Sequence, residues 1–181
     1  MDLLLLIGGL FLSVIIGYLR GGRLGYLARL RINYFPLVLL AFLIQTFLDH
    51  LTYRGLIEKS FWTAGLHLLS YVLLFVFLWF NSTVPGMKVL GAGIFLNFIV
   101  ILLNGGAMPV ITEGLPAGDL AFLATSAIHQ PLGPATRLAF LADVLVLDLF
   151  RPGRYSIGDL MIGIGIFLLV QKAMTVRQSN S

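Results

Sequence analysis

Five stretches of the chain are almost wholly apolar: about Leu3 to Leu19, Tyr34 to His50, Trp62 to Phe80, Lys88 to Leu103 and Ile157 to Lys172. Each approaches the roughly 20 residues that a helix needs to cross the hydrocarbon core of a bilayer. Between the first two, Arg20, Arg23, Arg29 and Arg31 are interleaved with leucines and a tyrosine, which predicts an amphipathic linker in the membrane interface. Arg54, Glu58 and Lys59 follow the second run, and a tight turn, Asn81 to Gly86, follows the third. Phe61, Trp62, Trp79 and Phe80 stand at the two ends of the third run, where aromatic belts meet the headgroups.

The pattern changes after Leu103. Asn104 to Arg137 holds Pro109, Pro116, Pro131 and Pro134 together with Glu113, Asp119 and His129, and reads as a loop with one short surface helix at about Gly118 to Ile128. Loops this long in compact folds usually carry function. Leu138 to Phe150 is apolar again, but at about 13 residues it is short for a crossing. It also contains Asp143 and Asp148, and carboxylates are costly in lipid. If this run stays out of the membrane there are five spans, with the N-terminus outside and the C-terminus cytoplasmic. If it crosses there are six and both ends are outside. The Lys/Arg balance is the same in both arrangements, and the short run favours five. The expected fold is an all-α integral membrane protein, one domain over 1–181, with an outer-face cap at about 104–137.

Composition agrees with a lipid solvent. Hydrophobic residues make up 59% of the 181 and charged residues 11%, against roughly 45–50% and 25% in a soluble domain. Mean hydropathy is +0.97. The net charge of +4 comes from cations beside apolar runs, so it reads as anchoring and orientation in the cell membrane rather than nucleic-acid binding. The first run is preceded by Asp2 and followed by Arg20 and Arg23, the reverse of a cleaved signal peptide. With no cysteine and three scattered histidines, the sequence offers no disulfide, no thiolate chemistry and no metal-ligand spacing, and no cofactor motif.

One pair of residues suggests chemistry. Asp143 and Asp159 flank the break Arg151-Pro152-Gly153-Arg154. Two carboxyls held close share a proton, after which one acts as base on a water and the other as acid toward a carbonyl. Around the second aspartate, Tyr155-Ser156-Ile157-Gly158-Asp159-Leu160-Met161-Ile162-Gly163-Ile164-Gly165 resembles the corresponding segment of lipoprotein signal peptidase, an intramembrane aspartyl peptidase. Leu141-Ala142-Asp143 and Asn104-Gly105-Gly106-Ala107 are similar to its other motifs. The asparagine that precedes the second aspartate in that family is absent here, and a Pro/Gly-rich loop stands where it has two helices between its asparagine motif and its first aspartate. The resemblance implies catalytic Asp143 and Asp159, substrate contacts from Asn104, Arg137 and His129, and a membrane-anchored peptide or lipoprotein as substrate. Over most of its length the chain is also similar to a group of small, uncharacterised bacterial membrane proteins. Asn104 to Val110, Thr136-Arg137-Leu138, Phe140 to Asp143 and Ser156 to Asp159 carry that likeness, which implies no activity.

Simpler roles stand beside these. Ser156-x-x-Asp159 has the form of a capping box, and an acid in a first helical turn suits the helix dipole. Asp143 could pair with Arg137, Arg151 or Arg154. Gln45, Asp49, His67, Ser70 and Asn97 lie within apolar runs, where uncharged polar groups usually bond between helices. Gly91-x-Gly93 and Gly163-x-Gly165 allow close helix packing. A small transporter or channel would need Gln45, Asp49, His67 and Asn97 to line one path. A non-catalytic assembly or partner-binding protein would leave the two aspartates apart, each paired with arginine or backbone.

Overall fold

A computed structural model describes residues 3–147 and 153–175. The described chain is mostly helical: α1 (Leu3–Leu19), α2 (Leu24–Leu27), α3 (Phe35–Tyr53), α4 (Phe61–Phe80), α5 (Met87–Leu103), α6 (Ala117–Thr125) and α7 (Ile157–Thr175). Among these, α3, α4 and α7 are long and apolar enough to cross a membrane. α1 and α5 have 17 residues each, which at 1.5 Å per residue is about 25 Å, the low end of a span. Large apolar side chains face outward, among them Phe11, Phe61, Trp62 and Trp79. The core is correspondingly rich in small and polar residues.

Local chemistry sets the helix starts. Ser60 opens α4 with a capping box: its Oγ accepts from Thr63 N and the Thr63 hydroxyl accepts from Ser60 N. Pro36 in the first turn of α3 needs no intrahelical partner for the N–H it lacks. Gly86, at φ +86°, turns the chain into α5 with a left-handed conformation that a side chain would resist.

Three antiparallel contacts, α3–α4, α4–α5 and α5–α7, and one parallel contact, α1–α7, assemble the bundle. α3 and α4 form a hairpin crossed by a bond from Gln45 Nε2 to Ser70 Oγ at 2.8 Å. α5 lies against α7 so closely that glycine is the only residue that fits: a Cβ on Gly93 would come within 2.9 Å of Ile162 N, and one on Gly165 within 2.5 Å of Leu90 N. α1 runs beside α7, joined by Gln171 Nε2 donating to Ser13 O at 2.6 Å.

The segment between α5 and α7 caps one end of the bundle, and here the all-α expectation needs correcting. The cap contains four three-residue strands: β1 (Met108–Val110) pairs in parallel with β2 (His129–Pro131), and β3 (Leu145–Leu147) pairs antiparallel with β4 (Gly153–Tyr155). Its surface helix, α6, ends at Thr125, three residues before the expected Ile128. The apolar run from Leu138 holds a 3-10 turn (Ala139–Leu141) and β3 instead of a spanning helix among its described residues. Asp148 and Arg151 lie outside the described residues.

A small apolar cluster of Leu48, Ala127 and Ile128 fastens the cap to α3, beside a polar knot. Ser126 Oγ donates to Asp49 Oδ1 and accepts from the N–H groups of Ile128 and His129. His129 Nδ1 lies 3.5 Å from Asp49 Oδ2, and Lys59 Nζ donates to His129 O at 3.1 Å. The environment of Lys59 pushes its pKa down, chiefly through burial. Ser126→Ala leaves two backbone donors and one carboxylate oxygen short of a partner, a loss of about 1–3 kcal/mol. Amide exchange across 117–131 is expected to accelerate by roughly tenfold or more, since 1.4 kcal/mol is one decade, while α4 and α7 keep their protection. Equal protection of the cap in both proteins would show that the apolar cluster alone holds it.

Candidate functional site

Asp143 and Asp159 reach the same buried region from two different elements. The β3–β4 register pairs Leu145 with Tyr155 and Leu147 with Gly153, so the hairpin carries Asp143 back toward Ile157, the first residue of α7. On its other side Asp143 joins β1: its N–H donates to Pro109 O at 3.0 Å and its carbonyl accepts from Ile111 N at 3.1 Å. Its side chain points inward and is 4% exposed; Asp159 is 6% exposed.

The two carboxyls have unlike surroundings. Asp159 Oδ1 accepts from Asn97 Nδ2 at 2.9 Å, and Oδ2 accepts from Ser156 N at 3.1 Å. Ser156 Oγ completes the network, accepting from Asp159 N at 2.9 Å and donating to Asn97 Oδ1 at 2.8 Å. The expected capping box is therefore present, and Asn97 of α5 is built into it. Gly158 permits this, because a Cβ there would collide with the Asn97 side chain.

Asp143 lacks such support. Its Oδ1 is buried with no hydrogen-bond partner. Arg154, one of its expected partners, donates instead to the carbonyls of Glu113 and Gly153. Arg137 is exposed, with its backbone bound to the Asn104 side chain. Burial pushes the Asp143 carboxyl up to a pKa of about 8, and the charge of Asp159 raises it further in the same direction. A carboxyl of this kind keeps its proton at neutral pH, while its neighbour receives the two N–H donors that suit a carboxylate. Tyr71 of α4 is buried in the same region, near both aspartates. It belongs to the apolar cluster of Ile94, Val100, Ile101, Met108 and Ala142 that walls the pair.

The other residues singled out in the sequence go elsewhere. Asn104 ends α5 and spends its side chain on backbone: Nδ2 donates to Val100 O and Arg137 O, and Oδ1 accepts from Arg137 N. His129 belongs to the Asp49–Ser126 knot. His67 Nδ1 lies 2.6 Å from Gly106 O, which leaves one helix-to-cap bond there. Gln45 reaches the His67 carbonyl through Ser70, whose hydroxyl donates to it at 2.6 Å, while Asp49 bonds to the cap and Asn97 to Asp159 and Ser156. Among the described residues no group of three or more His, Cys, Asp or Glu side chains could hold a metal ion. Asn97 and Tyr71 are the site residues that sequence reasoning did not assign. Asn97 gave a signal as an amide in an apolar run, whereas Tyr71 looked like any belt or core aromatic.

Fold and site together define a small helical protein with helices fit to cross a membrane and a buried, unequal aspartate pair beneath a cap. The chain belongs to the family of unknown function DUF5317, whose model matches residues 29–171. It is also similar to an uncharacterized protein of Thermotoga maritima, 32% identical over 109 residues. That match covers 59% of this chain and 63% of the relative, so the chain spans less than two thirds of the relative's length. No solved structure matches the chain.

Proposed function

We propose that the protein is an intramembrane aspartyl hydrolase of the peptidase type, with Asp143 and Asp159 as its catalytic pair. The observation that carries this reading is the asymmetry of the pair. One carboxyl is buried, with one oxygen that has no hydrogen-bond partner and a pKa raised by burial, and the other is held by two N–H donors. In this arrangement Asp159 takes a proton from a water as its oxygen bonds to the substrate carbonyl carbon, and Asp143 gives its proton to the carbonyl oxygen. The resulting diol collapses when the nitrogen is protonated and the C–N bond breaks, which restores one shared proton. Asn97 and Ser156 position Asp159.

In the topology that accompanies this reading α1, α3, α4, α5 and α7 each cross the bilayer, with the N-terminus outside, the C-terminus in the cytoplasm and the cap on the outer face of the cell membrane. The charge distribution supports it. Arg20, Arg23, Arg29, Arg31, Lys88 and Lys172 lie at the end opposite the cap, and cations favour the cytoplasmic side. A substrate anchored in the outer leaflet would present its peptide at the level of the pair once the cap moves. A transporter path is not favoured, because the polar side chains it requires are each engaged in hydrogen bonds within the protein. A purely structural role for the pair leaves the partnerless Asp143 oxygen unexplained.

The test is cleavage of a panel of single-span peptides, lipidated and not, by the purified chain in micelles, read by mass spectrometry. Cuts near the outer boundary are expected, and both Asp143→Asn and Asp159→Asn should lower the rate by about 10²–10⁴-fold. No cut in any peptide, or cuts that survive both substitutions, would end the peptidase reading.

A further inference from the structure

The bundle end opposite the cap holds a concentration of free positive charge. Arg20, Arg23, Arg29, Arg31, Lys88 and Lys172 are all exposed there. Arg20 donates to Gln171 Oε1 at 2.9 Å. Among the described residues the ion pair present is His129–Asp49, at the cap end, and the remaining five cations have no side-chain partner. Asp49, Glu58, Glu113, Asp119, Asp143 and Asp159, the described carboxylates, all lie toward the cap end. Among the described residues these cations therefore have no carboxylate side chain to meet.

Four of the six, Arg20, Arg23, Arg29 and Arg31, are carried on a strap that is fixed in place. Residues 20–34 cross the bundle end and are pinned twice. Arg23 N donates to Met174 O at 3.0 Å, at the end of α7. At the end of α4, the Asn81 side chain accepts from Asn33 N and donates to Asn33 O, both at 2.8 Å. The Tyr34 ring rests on Phe80 with centroids 4.4 Å apart. Leu24 and Tyr34 are 43% and 55% exposed beside the arginines, so the strap offers apolar and cationic groups together. Next to the second pin, an open surface depression is lined by Ser82, Thr83 and Lys88, among others.

We propose that the strap and the α4–α5 turn form a binding site for the phosphate headgroup of an anionic phospholipid in the adjacent leaflet. Phosphate oxygens meet Arg31 and Lys88 and the hydroxyls of Ser82 and Thr83, while Leu24 and Tyr34 enter the acyl boundary. Cations at a membrane surface are drawn to anionic lipid, and a strap already pinned loses little freedom when the lipid binds. The site is independent of the aspartate pair.

The experiment uses the full chain in phosphatidylcholine vesicles carrying spin-labelled phosphatidylglycerol or spin-labelled phosphatidylcholine, with the motionally restricted fraction measured by electron paramagnetic resonance. At low salt, phosphatidylglycerol is expected to be retained at least about threefold over phosphatidylcholine. The preference should fall toward parity near 1 M salt, where charges are screened within about 3 Å. Arg23→Gln/Arg29→Gln/Arg31→Gln should abolish it, and Arg54→Gln/Arg137→Gln at the cap end should leave it intact. If the triple variant does not insert, Ser82→Ala/Lys88→Gln and the salt series on the unaltered chain make the same test. Equal retention of both lipids, a preference indifferent to salt, or one lost equally with the cap-end variant would overturn the proposal.

Discussion

Gly158→Leu is expected to drive α5 away from α7 and cost at least about 3 kcal/mol, above the usual range for an overpacked core. The first carbon of the new side chain would fall on the Asn97 amide and within 2.7 Å of Gly93 O. The second of these is backbone and cannot rotate away. Gly86, the N-cap of α5 seven residues before Gly93, approaches Gly165, seven residues after Gly158, so the antiparallel contact is made through a repeated pair of glycines. In lipid no apolar driving force compensates for such a gap, because tails solvate leucine as well as a neighbouring helix does. The measurement is unfolding in a detergent series, with Gly163→Leu as control. Gly163 lies on the same helix with nothing within 4 Å of its missing Cβ, so its substitution should stay within about 0.5 kcal/mol, as surface changes do. Equal losses at the two positions would mean that the α5–α7 approach is not what glycine secures.

That contact also shows what could be read from the chain and what could not. The apolar runs located the long helices to within a few residues, because lipid imposes one length and one composition on any segment that crosses it. The Gly-x-Gly pairs marked close packing, yet Gly93 and Gly165 touch the opposing backbone, whereas Gly91 meets only Leu78 and Gly163 meets nothing. Spacing along one helix does not reveal which face turns inward. The strands of the cap were invisible for a different reason. Three residues are too few for an alternating pattern to stand out from an apolar run, and Leu145–Leu147 reads as the middle of a short hydrophobic segment. At the site, Asp159 declared its cap through Ser156, three residues earlier. Its bond to Asn97 spans 62 positions, which no local pattern records. The same holds for Ser126, which lies 77 positions from the Asp49 it binds.

Asp143→Asn is expected to remove most of the pH dependence of stability between about pH 4 and 8, and to stabilise the protein at the upper end of that window. In the folded chain Asp143 holds its proton up to a pKa of about 8, against an ordinary carboxylate value of 3.8. The unfolded chain has released that proton at any pH well above 4, so the folded state binds one more proton across the window. Stability from this group is therefore complete below about 4 and is lost as pH rises through about 8. The slope for one group is at most about 1.4 kcal/mol per pH unit. An asparagine has no proton to lose, and its amide can donate within a site where the carboxyl oxygen has no partner. Asp159→Asn provides the cross-check. It removes the charge that raises Asp143, so the fall in stability should move to lower pH. It should also destabilise throughout, since the new NH2 group faces either Ser156 N or Asn97 Nδ2, both donors, and turning the Asn97 amide to accept it would take the acceptor from the Ser156 hydroxyl. Thermal unfolding of the three proteins from pH 4.5 to 8.5, with ionic strength held constant, distinguishes these behaviours. A flat profile for the unaltered chain, unchanged by Asp143→Asn, would mean that no proton is shared between the carboxyls. The acid–base roles assigned to them would then have no physical basis, whatever activity the protein has.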